Sequence, residues 1–228
     1  MRRWLVPAVF GAAAIGIGAR AIESVHSSVA HPGGRVILIA LYLGLRTGVA
    51  LAFAVFTVGR AQPHKRSRRP LALIACMVAM GTVISFQPPD AATASGLVLA
   101  GDALAVLSCV WLLAAVLTLG RCFGVLPEAR GLVTAGPYRL VRHPVYLGEL
   151  GACSGLALAS PSLFNAAILA IFLAAQIVRM GFEERALAAA FPDYAAYAAH
   201  TPRLLPLRLA APRWPRLLLS PERTRDAG

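Results

Sequence analysis

The chain has 228 residues, of which 58% are hydrophobic and 14% charged, and its mean hydropathy is +0.68. That balance excludes an ordinary soluble domain, and so much of the length is apolar that no room remains for a separate soluble enzyme. The net charge of +12 sits beside apolar blocks and is not interleaved with aromatics on a polar face, which favours membrane lipids as partners and argues against nucleic acid.

In chain order, Arg2-Arg3 and the apolar run to Ala19 resemble the first two regions of a signal peptide, but further apolar segments follow, so Trp4 to Ala19 reads as a retained first helix. Gly16 and Gly18 there suit helix packing and form no dinucleotide fingerprint, since no strand precedes them. A loop with His26, His31, Pro32, Gly33 and Gly34 leads to a second span, Val36 to Val58. Its Arg46 lies near the middle, where a charge costs about 2.5 to 3.5 kcal/mol, so it should face the bundle or a polar cavity. Asp102 is the obvious partner; snorkelling and contact with a substrate headgroup are the alternatives. The basic, proline-bounded connector Arg60 to Pro70 reads as an orientation signal. A third span, Leu71 to Phe86, ends at the turn Gln87-Pro88-Pro89-Asp90, and a fourth runs from Gly96 to Leu119. Cys76, Cys109, Cys122 and Cys153 are scattered singly, so neither a disulfide framework nor a metal site follows; Cys122, at a membrane exit, is the one to test as a thiol.

The polar stretch Gly131 to Tyr146 lies between apolar blocks. The residue before a proline is pushed out of helical geometry and proline suits a first turn, so His143 should cap a helix that begins at Pro144. A helix start at the membrane surface, with Arg139 and Arg142 beside it, attracts a carboxylate or phosphate. A fifth apolar segment, Val145 to Ala159, and a sixth, Leu163 to Val178, are joined by Ser160-Pro161-Ser162 and predict an antiparallel helical hairpin. The sixth helix continues through Arg179 to Leu187. There Arg179 and Glu183 share a face while Glu184 points about 100 degrees away; a solvated helix end with a weak surface ion pair is the alternative. Phe191-Pro192-Asp193-Tyr194 breaks and restarts the helix, and Tyr194 and Tyr197 fall on one face that could pack under the opening stretch. The Pro, Arg and Leu tail reads as lying along headgroups before becoming disordered. Nineteen of the 22 Lys and Arg collect on one side of this layout, which predicts an even number of spans, about six, with both termini and the opening stretch in the cytoplasm.

Leu132-Val133-Thr134, Gly136-Pro137-Tyr138-Arg139 and Arg142-His143-Pro144-Val145-Tyr146-Leu147-Gly148, followed by Glu183-Glu184, Leu187, Phe191, Tyr194, Tyr197 and Arg203, together resemble the signature of isoprenylcysteine carboxyl methyltransferase and the phospholipid methyltransferases, over roughly Cys122 to Pro206. The resemblance implies S-adenosyl-L-methionine as cofactor. It implies that Gly131, Leu132, Val133, Tyr138, His143, Pro144, Val145, Tyr146 and Glu183 bind it and that Arg179 meets the substrate. Phe123 and Gly124, where some members supply a polar side chain, and Pro192, in place of a glycine, depart from the pattern. A carboxylate acceptor needs no base; an amine must lose a proton, which gives His143 a second possible role beside cofactor contact and capping.

The expectation is an all-α, polytopic transmembrane bundle with a C-terminal helical hairpin and a cytoplasmic cofactor pocket. Residues 1–120 form the transmembrane region, 121–206 the methyltransferase-like module and 207–228 a basic tail. The acceptor is lipophilic and the setting a bacterial inner membrane. A membrane reductase using a nicotinamide cofactor, as in the sterol reductases, and a non-enzymatic lipid-binding protein stay open as alternatives.

Overall fold

The computed structural model describes residues 2–30, 34–58, 62, 64–66, 70–89, 93, 95–124, 126 and 128–205. Among them are seven α-helices: α1 (Arg2–Ala30), α2 (Gly34–Val58), α3 (Pro70–Val83), α4 (Ser95–Leu119), α5 (Pro144–Ala159), α6 (Leu163–Ala190) and α7 (Tyr194–His200). The fold is an all-α membrane-type bundle whose packing order is α1, α2, α4, α5, α6, α3. His31 to Gly33, most of the basic connector, Asp90 and the tail beyond Leu205 lie outside the described residues.

Local chemistry sets the helix ends. His143 has non-helical backbone angles (φ −124°, ψ 61°) and Pro144 opens α5. Ser160 and Pro161 stop it, and Ser162 caps α6 by accepting the Asn165 amide at 3.1 Å. The Asn165 side chain, fully buried, donates to the carbonyls of Ser160 (2.8 Å) and Gln87 (3.2 Å) and accepts the Gln87 amide (3.0 Å), so one amide ties the turn after α3 to the α5–α6 connector. Pro192 pushes Phe191 into extended geometry and ends α6, as the sequence predicts.

The tightest packing joins α4 to α5. Gly148, Gly151 and Gly155 form a stripe on α5 that receives Leu112, Ser108, Ala105 and Gly101 of α4. A Cβ on Gly155 would lie 2.6 Å from the Gly101 carbonyl oxygen and 2.7 Å from the Ala105 nitrogen, both backbone atoms that cannot swing away. In lipid, where apolar surface gains little from leaving the solvent, such close backbone approach is a main source of helix association. Gly155→Ala should therefore part the helices and cost about 1–3 kcal/mol, read as a lower thermal midpoint of the purified protein.

Among the described residues, three helices are long and apolar enough to cross a membrane: α2, α6 and α4 with its extension to Cys122. Of the remaining expected spans, the fifth agrees with α5 to within one residue, the third is shorter than its apolar run, and the first is longer, since α1 continues past Ala19 to Ala30. α5 holds 16 residues and α3 only 14, about 24 and 21 Å of helix against a hydrocarbon core of about 30 Å. Proline sets both starts and polar turns both ends, so an apolar run longer than the helix is not all helix: the third expected span reached Phe86, whereas α3 stops at Val83 and a turn at Ile84 leads into irregular backbone.

The expected pairing of Arg46 with Asp102 is not made. Asp102 pairs with Arg35 (3.3 Å), while Arg46 donates to the Tyr42 hydroxyl at 3.0 Å and lies 5.6 Å from that ring's centre. The reason is register. α2 and α4 run parallel, with Arg35 level with Asp102 and Val49 packed on Leu112, so Arg46 sits about 16 Å further along α2 than the residue that meets Asp102.

Candidate active site

The site is assembled where α4 ends, α5 begins and α6 leaves the bundle. After α4 the chain makes a short 3-10 turn, Gly120–Cys122, in which Gly120 takes a positive φ of 51° open to glycine. Phe123 then stacks face to face on Phe53 of α2, with ring centres 4.2 Å apart. A two-residue antiparallel pair, β1 (Lys65–Arg66) with β2 (Glu128–Ala129), fastens the α2–α3 connector to this linker, and Glu128 and Arg130 form a buried ion pair beside it. Gly131 follows, against the Cys122 thiol, where any Cβ would collide with the sulfur. Gly136, with φ 55°, opens a second 3-10 turn, Gly136–Arg139, packed on Thr118.

The backbone then runs into α5 along the returning C-terminal segment. The amides of Arg142 and His143 donate to the carbonyls of Pro202 (2.8 Å) and Arg203 (3.1 Å). Leu147 makes the first bond within the helix, to His143 at 3.0 Å, so the donors this helix start offers an anion are the amides of Val145 and Tyr146.

Glu183 and Glu184 diverge as their spacing predicts. Glu183 accepts the Tyr146 hydroxyl at 2.7 Å and lines a cavity. Glu184 turns to the other side, where His143 Nε2 (3.0 Å), Arg142 (3.2 Å) and Arg203 converge on it. The first is a carboxylate facing space and the second is a clasp joining α6, the start of α5 and the C-terminal segment. Tyr194 and Tyr197 pack beneath, as expected: Arg142 reaches the Tyr194 hydroxyl at 3.5 Å, and Tyr197 donates to the Tyr138 carbonyl at 2.6 Å.

Burial pushes the Tyr138 and Tyr194 phenols well above their ordinary range, and raises Tyr197 to about 12 against the opposing pull of Arg142. The Tyr197 contribution to stability is thus complete below pH 10 and lost as pH rises toward 12, because the unfolded phenol gives up its proton first. Tyr197→Phe should cost about 1 kcal/mol at neutral pH and flatten the fall in melting temperature through that alkaline window.

The cavity is bounded by the linker, α5, α6 and α7 on one side and by Phe10, Phe53, Met80 and Val83 from the first three helices on the other. Gly131, Leu132, Val133, Tyr138, His143, Val145, Tyr146, Arg179 and Glu183 all line it. Pro144 does not: it is buried, and its carbonyl accepts the Trp111 indole N–H at 2.9 Å. Arg179 makes no pair with Glu183. It donates to Gln176 (2.6 Å), lies 3.6 Å from Glu149 of α5 and sits 5.0 Å from the centre of the Tyr146 ring. Arg142 and Arg179 each bury an Nε–H with no hydrogen-bond partner.

Sequence reasoning missed Glu149 and Gln176. Gln176 donates to Glu149, and Glu149 faces the cavity. The signal was present, since an acid inside an apolar run is as costly as Arg46. Phe10 and Phe53 carried no such signal, because an aromatic in a span reads as lipid contact or packing.

Residues 91–194, which take in α4 to α6 and the first residue of α7, match the phospholipid methyltransferase family. Over 78 residues the chain is 44% identical to the cobalt-zinc-cadmium resistance protein CzcN of Cupriavidus metallidurans, a match covering 33% of this chain and 35% of that protein. It is 37% identical over 78 residues to the nickel-cobalt-cadmium resistance protein NccN of Alcaligenes xylosoxydans xylosoxydans, covering 33% and 36%. The match thus spans about a third of the length of these curated relatives. The segment that builds the cavity, from α4 to α7, thus carries a phospholipid methyltransferase domain.

Proposed function

We propose that the protein transfers a methyl group from S-adenosyl-L-methionine to a lipophilic acceptor that reaches the cavity from within the bilayer. The observation that carries this reading is Glu183, a carboxylate fixed by the Tyr146 hydroxyl and facing a cavity whose other wall is apolar. The residues fit the cofactor's groups. Glu183 suits its ammonium, and the unpartnered buried Nε–H groups of Arg142 and Arg179, with the amides of Val145 and Tyr146, suit a carboxylate. Gly131, Leu132, Val133, Tyr138 and His143 complete the wall, and buried Pro144 holds the turn that presents them.

When bound beside Glu183, the cofactor would supply an electrophilic methyl group on a sulfonium for an oxygen or nitrogen of the acceptor. What the chain must provide is placement within about 3 to 3.5 Å and exclusion of water. Arg179, held by Gln176 and Glu149, is the cation on hand for an acceptor oxygen. His143 lines the cavity with Nε2 held by Glu184, so any proton taken from an amine acceptor falls to its other nitrogen. In this reading residues 1–120 furnish the apolar wall, 121–206 the cofactor-binding module and 207–228 a basic tail. The distribution of Lys and Arg supports a cytoplasmic site and cytoplasmic termini, and the setting in this reading is a bacterial inner membrane.

The test is incubation of the purified protein with membrane lipids and a radiolabelled methyl donor. Label in the organic-soluble fraction, absent with Glu183→Ala, is expected. No incorporation, together with thermal stabilisation by a nicotinamide dinucleotide and none by S-adenosyl-L-methionine, would replace this reading with a reductase. A ligand at a hundred times its dissociation constant adds about 2.7 kcal/mol, enough to read.

A further inference from the structure

A second cavity lies deeper in the bundle, lined by residues of α1 to α5, and its wall is apolar except for Arg46 and Glu149. The Glu149 carboxylate is engaged by Gln176 and Arg179. Arg46 has only the Tyr42 hydroxyl and ring, and among the described residues no carboxylate pairs with it, Asp102 being held by Arg35. Arg46 stands at the centre of α2, about 18 Å of helix from either end, too far for its side chain to reach headgroups. A cation kept at that depth without a counter-charge, and bordering a cavity, marks a place for a ligand that brings the negative charge.

The two cavities adjoin and share Phe10, Phe53, Val83 and Glu149 in their walls. Along α5 the first touches Val145, Tyr146 and Glu149, and the second Glu149, Ala152 and Cys153, so they stack end to end over about 12 Å of helix rise. A single guanidinium backed by one phenol suits a singly charged planar group; a phosphate dianion would leave unbalanced charge in the membrane interior.

We propose that the second cavity binds a hydrophobic carboxylate, its charged group on Arg46 and its apolar chain running toward Glu149. That this molecule is also the methyl acceptor, anchored on Arg46 with its far end at Arg179, rests on the methyl-transfer reading; the binding itself does not.

The experiment is calorimetric titration of the purified chain in a neutral detergent with dodecanoate and with dodecanol, which differ in charge. The wild-type protein is expected to bind the acid at least about tenfold more tightly than the alcohol. Arg46→Met abolishes that preference and Arg46→Lys, which keeps the charge, retains part of it. S-adenosyl-L-methionine, titrated into the same variants, should bind as it does to wild type, which also establishes that they are folded. Equal affinity for acid and alcohol in the wild type, or a preference that survives Arg46→Met, overturns the proposal. Preference for the acid in a wild-type protein that fails to bind S-adenosyl-L-methionine leaves this site standing and removes the methyl-transfer reading.

Discussion

Glu183→Ala is expected to weaken binding of S-adenosyl-L-methionine by at least about 100-fold while lowering the melting temperature little. Removing one partner of a desolvated charge pair costs about 2–5 kcal/mol of binding, and each factor of ten is about 1.4 kcal/mol. The folded protein loses only the bond from the Tyr146 hydroxyl, which opens on the cavity and can turn to water. Titration calorimetry of wild type, Glu183→Ala and Glu183→Gln separates charge from shape: Gln keeps an acceptor for Tyr146 but not the charge, and should bind nearly as weakly as Ala. An affinity unchanged in both variants would remove Glu183 from the pocket.

Glu184→Ala, one residue on, is expected to do the opposite. It should cost about 3 kcal/mol of stability, because Arg142, His143 and Arg203 all converge on that carboxylate and would be left partly buried without it. Those three come from the start of α5 and from the segment after α7, so the clasp closes the C-terminal part over the helix start. Chemical or thermal unfolding reads the effect directly, and Glu184→Gln should recover a minor part through its remaining acceptor. Loss of cofactor affinity without loss of stability would contradict the assignment of Glu184 to structure.

The contrast between the two glutamates was legible because helical geometry alone separates adjacent side chains by about 100 degrees, and the positions of His143 and Pro144 fixed where the opposing helix begins. Local rules reached the hairpin turn, the break at Pro192 and the return of Tyr194 and Tyr197 for the same reason. What they did not reach depends on how helices lie beside each other. That Asp102 meets Arg35 and not Arg46 follows from the parallel register of α2 and α4, which no local rule contains. The glycine stripe of α5 becomes an interface only once α4 is set against it, and α3 packs on α6, three helices later in the chain. Glu149 is a different case: its cost in an apolar helix was readable, and its engagement by Gln176 and Arg179 one hairpin later is what that cost required.

Hydrogen exchange with and without S-adenosyl-L-methionine tests most directly whether the linker, the start of α5 and the end of α6 enclose one small molecule. The ligand should slow exchange in residues 131–149 and 179–187 together and leave Ile22 and Glu23 of α1, both exposed, unchanged. No protection, or protection in only one of the two stretches, would contradict a shared pocket.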